Sequence, residues 1–120
     1  MNRLARLACV VVWCLLLAIS PQQSQANPVV TEGDGYIQID KEVFGAPLRI
    51  VRPDDWNGDL VVLLHGYVFP SAPVAVPPPG QELLFEALTA GLVESGYGVA
   101  YSGYRVNGYA VSEGTIDSRV

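Results

Sequence analysis

The chain has 120 residues, with 7 basic and 12 acidic side chains, one histidine and two cysteines. That length allows one small domain at most. A net charge of −5 leaves too few Lys and Arg to neutralise phosphates, which excludes nucleic acid as a partner and disfavours an anionic membrane surface.

Residues 1–8 carry Arg3 and Arg6 and no acid, and residues 9–19 are apolar without a break. Ser20, Pro21 and a Gln-rich stretch follow, ending in Ser24-Gln25-Ala26. A basic start, a short apolar run and a small-x-small site predict a secretory signal peptide over residues 1–26, cut after Ala26, and hence a secreted or periplasmic product. A spanning helix needs about 20 apolar residues, so no stable membrane anchor is expected; an uncleaved tether is the alternative. Cys9 and Cys14 leave with the signal. Residues 27–120 then hold no thiol, hence no disulfide and no cysteine metal site. Five basic residues against 12 acidic ones leave this part at −7.

Residues 27–35 read as a polar, Gly-bearing lead-in. Tyr36, Ile37, Ile39, Val43 and Phe44 mark a half-buried strand, Gly45-Ala46-Pro47 a turn, and Leu48, Ile50 and Val51 a second strand that stops at Pro53. Together they predict a β-hairpin. Asn57-Gly58 is a turn pair. Residues 60–64 (LVVLL) are apolar continuously rather than alternately, as in a parallel strand buried on both faces. Six prolines and glycines between 70 and 80 exclude helix there. Residues 81–95 predict a helix with Leu83, Leu84, Ala87, Leu88, Gly91 and Leu92 on its apolar face and Gly96 as its cap. Residues 97–101 predict a strand, Asn107-Gly108 a turn, and Thr115 to Val120 the start of a second helix. A hairpin followed by strand–helix–strand places the chain in the α/β class with a parallel crossover.

The segment Leu60 to Tyr67, LVVLLHGY, followed by a Pro-rich loop and an amphipathic helix, resembles the first third of an α/β-hydrolase. The Trp56-Asn57-Gly58 lead-in and the segment SGYGVAYSGYRVNGYAV are similar to secreted members of that superfamily, and the likeness covers residues 36–120. The resemblance implies acyl transfer on ester or peptide bonds by a Ser–His–acid triad, without a cofactor. It also implies that the loop after the buried strand supplies a backbone N–H to the oxyanion hole, aimed at the oxygen that becomes negative in the tetrahedral intermediate. His65, Gly66 and Tyr67 fall at that place. Gly66 permits a sharp turn, and Tyr67 is the residue expected to present its N–H. A small-molecule ester or peptide is the implied substrate of the full-length relative, and residues 27–120 become the N-terminal part of such a domain, truncated before the nucleophile elbow.

The family's nucleophile lies in G-x-S-x-G on a strand-to-helix turn, and that motif is missing. Ala110-Val111-Ser112-Glu113-Gly114 has the spacing but not the first glycine or the place; Ser112 reads as a polar residue near a helix start. Ser102 follows a strand without a glycine two residues earlier. His65 is the only histidine and stands too early to be the base, so it reads as a strand-end residue hydrogen-bonded to backbone. A metal held by His65 with Asp54, Asp55 or Asp59 is a weak signal. Asp54-Asp55 reads as a solvated turn, and Glu113 and Asp117 as partners of a helix dipole. Tyr97, Tyr101, Tyr104, Tyr109 and Trp56 serve core packing or line a sugar or aromatic-ester cleft. Gly33-Asp34-Gly35 lacks the strand and lysine of a phosphate loop.

Two readings follow: the oxyanion-hole half of a secreted hydrolase, inactive as given because its nucleophile and base are not in this chain, or a small exported non-catalytic binding module. Under the first, the LVVLL strand lacks one neighbour and its edge promotes association.

Overall fold

The computed structural model describes residues 26–119; the expected signal peptide lies, but for Ala26, outside the described residues. Five strands and two helices run in the order β1 (Val29–Gly33), β2 (Tyr36–Val43), β3 (Ala46–Pro53), β4 (Leu60–Leu63), α1 (Glu82–Glu94), β5 (Gly98–Ser102) and α2 (Val111–Asp117). They form one mixed sheet in the order β1-β2-β3-β5-β4. The first three neighbour pairs are antiparallel, while β4 and β5 pair in parallel, Val61 opposite Val99 and Leu63 opposite Tyr101. The α/β class is therefore correct.

Two two-residue turns build the antiparallel half. Gly33 pairs with Tyr36 across Asp34-Gly35, and Val43 pairs with Ala46 across Phe44-Gly45. Gly35 has φ 80°, Phe44 50° and Gly45 84°, the positive values that match the twist of a hairpin. Residues 27–35 are thus not a lead-in: β1 is a strand, and Asp34-Gly35 was its turn signal. All five β1 residues are exposed, so no alternating pattern announced it. The second turn also lies one residue earlier than Gly45-Ala46-Pro47, with Ala46 already in β3.

All five residues of β5 are buried, which makes β5 rather than β4 the central parallel strand. β4 is the edge among the described residues, with Leu60, Val62 and Leu64 exposed; the expectation of burial on both faces is corrected. Its apolar run reflects a sheet face and an edge that no described residue covers.

The helix α1 packs on β3 and β5. Phe85 meets Tyr101 edge-on at 5.0 Å, and Leu63, Leu92 and Val93 close the core around Phe85, Val99 and Tyr101. The packed stripe is thus Phe85, Leu92 and Val93, whereas Leu83, Leu84 and Leu88 are exposed, Leu83 at 83%. The predicted face was the wrong one, apart from Leu92: eight apolar positions in 13 residues leave two stripes to choose from, and the aromatic one makes the larger contact. At the C-terminus the Gly96 N–H donates to Val93 O and the Tyr97 N–H to Leu92 O, with Gly96 at φ 86°. This is the Schellman arrangement expected of a glycine cap.

The second helix begins at Val111, four residues before Thr115. A cavity lined by Leu48, Ile50, Ser102 and Ile116 shows that α2 stands over the sheet face opposite α1, because Ser102 alternates with Tyr101. No helix among the described residues is long and apolar enough to cross a membrane.

Candidate functional site

The C-terminal end of β4 leads into Leu64, His65, Gly66 and Tyr67, beside the segment that leaves β5. A strand-end site of this kind is set by two adjacent parallel strands, whose carboxyl ends open on one crevice.

His65 is buried, 8% exposed. Its Nδ1 lies 2.7 Å from Gly66 O; a carbonyl only accepts, so Nδ1 carries the proton. The ring stacks on Tyr104 at 3.8 Å between centroids and 25° between planes. The Tyr104 hydroxyl donates to His65 O over 3.2 Å, and the Tyr104 N–H donates to Ser102 Oγ over 3.0 Å. These contacts hold Tyr104 at φ 54°, a left-handed conformation that costs a non-glycine residue about 1–3 kcal/mol. Nε2 of His65 is buried without a hydrogen-bond partner among the described residues.

Gly66 donates its N–H to Gln81 Oε1, 3.3 Å away at the start of α1. The Tyr67 N–H makes no hydrogen bond among the described residues. Of the three residues expected at an oxyanion hole, His65 serves as a buried wall, Gly66 has its donor in use, and Tyr67 keeps a backbone donor without an acceptor among the described residues.

The Pro-rich loop is held from the other side. Gly108 donates to Val68 O at 2.8 Å, and Asn107 Nδ2 to Ala72 O at 2.7 Å. Gly103 lies so close to the loop that a Cβ there would collide with the Ala75 backbone. The chain bends at Arg105–Val106 rather than at the expected Asn107-Gly108 turn; Gly108, at φ 90°, bridges Val68, and Tyr109 beyond it reaches Tyr67. Their ring centroids are 5.1 Å apart at 48°, and Tyr67 meets Phe69 at 5.5 Å and 76°. A cavity of about 510 Å³ opens there, bounded by Leu64, His65, Tyr67, Tyr104, Tyr109 and α2. Its size falls within the roughly 300–1,000 Å³ of small-molecule sites.

The helix α2 is fastened by an ion pair. The Arg105 N–H donates to Asp117 Oδ2 over 2.9 Å and Arg105 Nε to Oδ1 over 3.0 Å, with Nη2 on Oδ1 as well. Burial pushes the Asp117 carboxyl up, but the hydrogen bonds and charge of Arg105 outweigh it and hold it below the usual carboxylate range. Asp117 sits at the C-terminal end of α2, so it is not the dipole partner expected from the sequence; Glu113, in the first turn, occupies that position.

Neither Ser102 nor Ser112 is hydrogen-bonded to a histidine among the described residues. Ser112 is exposed and its Oγ donates to Glu113 Oε2 at 2.6 Å, which keeps that carboxyl below its ordinary range. Ser102 is buried with its Oγ on the Tyr104 amide. Tyr97 and Trp56 lie away from the cavity and Tyr101 is core. Trp56 closes the turn before β4, its Nε1 donating to Asp59 O at 2.7 Å. Among the described residues no group of three or more His, Cys, Asp or Glu could hold a metal, and Asp54, Asp55 and Asp59 do not line the cavity with His65. Sequence reasoning missed Phe69 and the Arg105–Asp117 pair; Asn107-Gly108, just beyond the bend, was the nearest signal for the approach of Tyr109 to Tyr67. No protein-family model, curated protein or solved structure matches the chain.

Proposed function

We propose that this chain supplies the oxyanion-binding half of an α/β-hydrolase-type site for acyl transfer on esters or peptides, and that residues 27–120 are the exported part. The observation that carries this reading is the Tyr67 N–H, without an acceptor among the described residues, two residues beyond the strand-end His65 and beside a cavity. In acyl transfer the carbonyl oxygen gains charge as the tetrahedral intermediate forms, and a fixed donor stabilises it there more than in the ground state. The hydrogen bond from Gly66 to Gln81 and the stacking of His65 on Tyr104 hold the strand end still, so that little reorganisation is needed when the charge appears. A nucleophilic serine paired with histidine is missing from the described residues, so one donor supports only residual catalysis. That same lack favours the second reading, a non-catalytic binding module.

The test is a ¹⁵N–¹H titration of the exported protein with dimethyl methylphosphonate, an uncharged tetrahedral phosphoryl acceptor without a ring. The Tyr67 amide is expected to shift downfield while exposed amides of β1 stay put. An unmoved Tyr67 amide at saturating ligand sinks the oxyanion reading. A fluorophosphonate probe and p-nitrophenyl acetate should find no nucleophile; stoichiometric labelling of Ser112 would overturn that part.

A further inference from the structure

The cavity beside Tyr67 carries no charge. Among the described residues no acidic or basic side chain lines it, and the chain as a whole is acidic, with 12 acidic side chains against 7 basic ones. A charged ligand entering there would lose water and meet no counter-charge, and an anion would also meet the repulsion of an acidic chain. What the walls offer is aromatic surface. Tyr109, on the lining, is 92% exposed, and Phe69, which meets Tyr67 from outside the lining, is 71% exposed, so neither ring is packed away by the fold. Tyr67 stands between them, tilted against one and edge-on to the other. Such an open set of rings accepts a further ring in offset or edge-to-face contact. The site is concave and of small-molecule size.

We infer that this cavity binds an uncharged aromatic ester, its ring against Tyr109 and Tyr67 and its carbonyl oxygen toward the Tyr67 N–H. The ester half rests on the proposed function; the aromatic half rests on the rings and the neutral lining alone. Aliphatic esters of similar size lack the quadrupole that the rings select, and benzoate fails on charge.

The experiment measures binding of methyl benzoate, sodium benzoate and methyl hexanoate to the exported protein by saturation-transfer NMR and tyrosine fluorescence. Methyl benzoate is expected to bind, with benzoate at least about tenfold weaker, a factor equivalent to the loss of one hydrogen-bonded partner for a buried charge. Loss of the ring contact in Tyr109→Ala should weaken methyl benzoate about two- to tenfold, the range of one aromatic pair, while Tyr109→Phe stays within about twofold. Far-UV circular dichroism checks that both variants fold, as an exposed side chain allows. Equal binding of benzoate and methyl benzoate, an unchanged Tyr109→Ala, or no saturable binding overturns the proposal. If methyl benzoate binds through Tyr109 while dimethyl methylphosphonate leaves the Tyr67 amide unmoved, the aromatic site stands and the hydrolase reading falls. The reverse pattern removes the aromatic site alone.

Discussion

Gly114 and Gly91 offer a matched pair of substitutions with opposite expected signs. Both lie inside helices, Gly114 in α2 and Gly91 in α1, where alanine is worth about 0.5–1 kcal/mol over glycine. A Cβ at Gly91 meets nothing within 4 Å, whereas one at Gly114 would stand 2.9 Å from Cε2 and Cζ of Tyr104. The Tyr104 ring cannot swing aside cheaply: it is buried against His65, its hydroxyl is bonded to His65 O and its backbone is pinned by Ser102. Either the ring or the whole of α2 must move, and overpacking of this kind costs about 1–3 kcal/mol. Gly91→Ala should therefore stabilise by about 0.5–1 kcal/mol, and Gly114→Ala should destabilise by about 0.5–2 kcal/mol after the helix gain is subtracted. Urea unfolding followed by circular dichroism gives the comparison, and amide exchange in α2 reports whether the helix has undocked. If Gly114→Ala proves as stable as Gly91→Ala, then α2 does not press on Tyr104 and this wall of the cavity is wrongly described.

The Asp117 carboxyl, buried yet held low by Arg105, has a folded-state pKa below its unfolded value, so its contribution is present above the ordinary Asp pKa of about 3.9 and is lost as pH falls through the folded value. Amide protection in α2 should drop below about pH 4 and Asp117→Asn should flatten that slope; an equal slope in the variant refutes the assignment. The bare β4 edge, without charge or proline in residues 60–63, should promote association, and Val62→Lys should reduce it in light scattering as charged edges do elsewhere; a strictly monomeric parent protein at all concentrations refutes this. N-terminal sequencing of the exported product should begin at Asn27, and a retained Met1 in a membrane fraction would contradict cleavage.

Local chemistry made much of the architecture legible. Tyr36 to Val43, the Asn57-Gly58 turn, the parallel strand ending at Leu63 just before His65 and the Gly96 cap each follow from residues within a few positions of one another. The backbone-bonded state of His65 was legible too, since a lone strand-end imidazole has the neighbouring carbonyl within reach. Strand β1 was not, because its side chains all face solvent and carry no alternation. The packed stripe of α1 was not either: with apolar residues on two sides, only the position of Tyr101 across the interface selects Phe85.

The sequence by itself determined the class of fold, the acidic and thiol-free character of residues 27–120, and the presence of a His-Gly strand end without a G-x-S-x-G serine. Those are properties of composition and short-range spacing. Tertiary structure decided that β5, not β4, is central, that Gly66 spends its N–H on Gln81 while the Tyr67 N–H finds no acceptor among the described residues, and that Tyr104 and Tyr109 converge on residues some 40 positions earlier in the chain. Such pairings depend on which strand lies beside which and on where a turn returns the backbone. No local pattern encodes them, because the partners meet only after the sheet has brought them together.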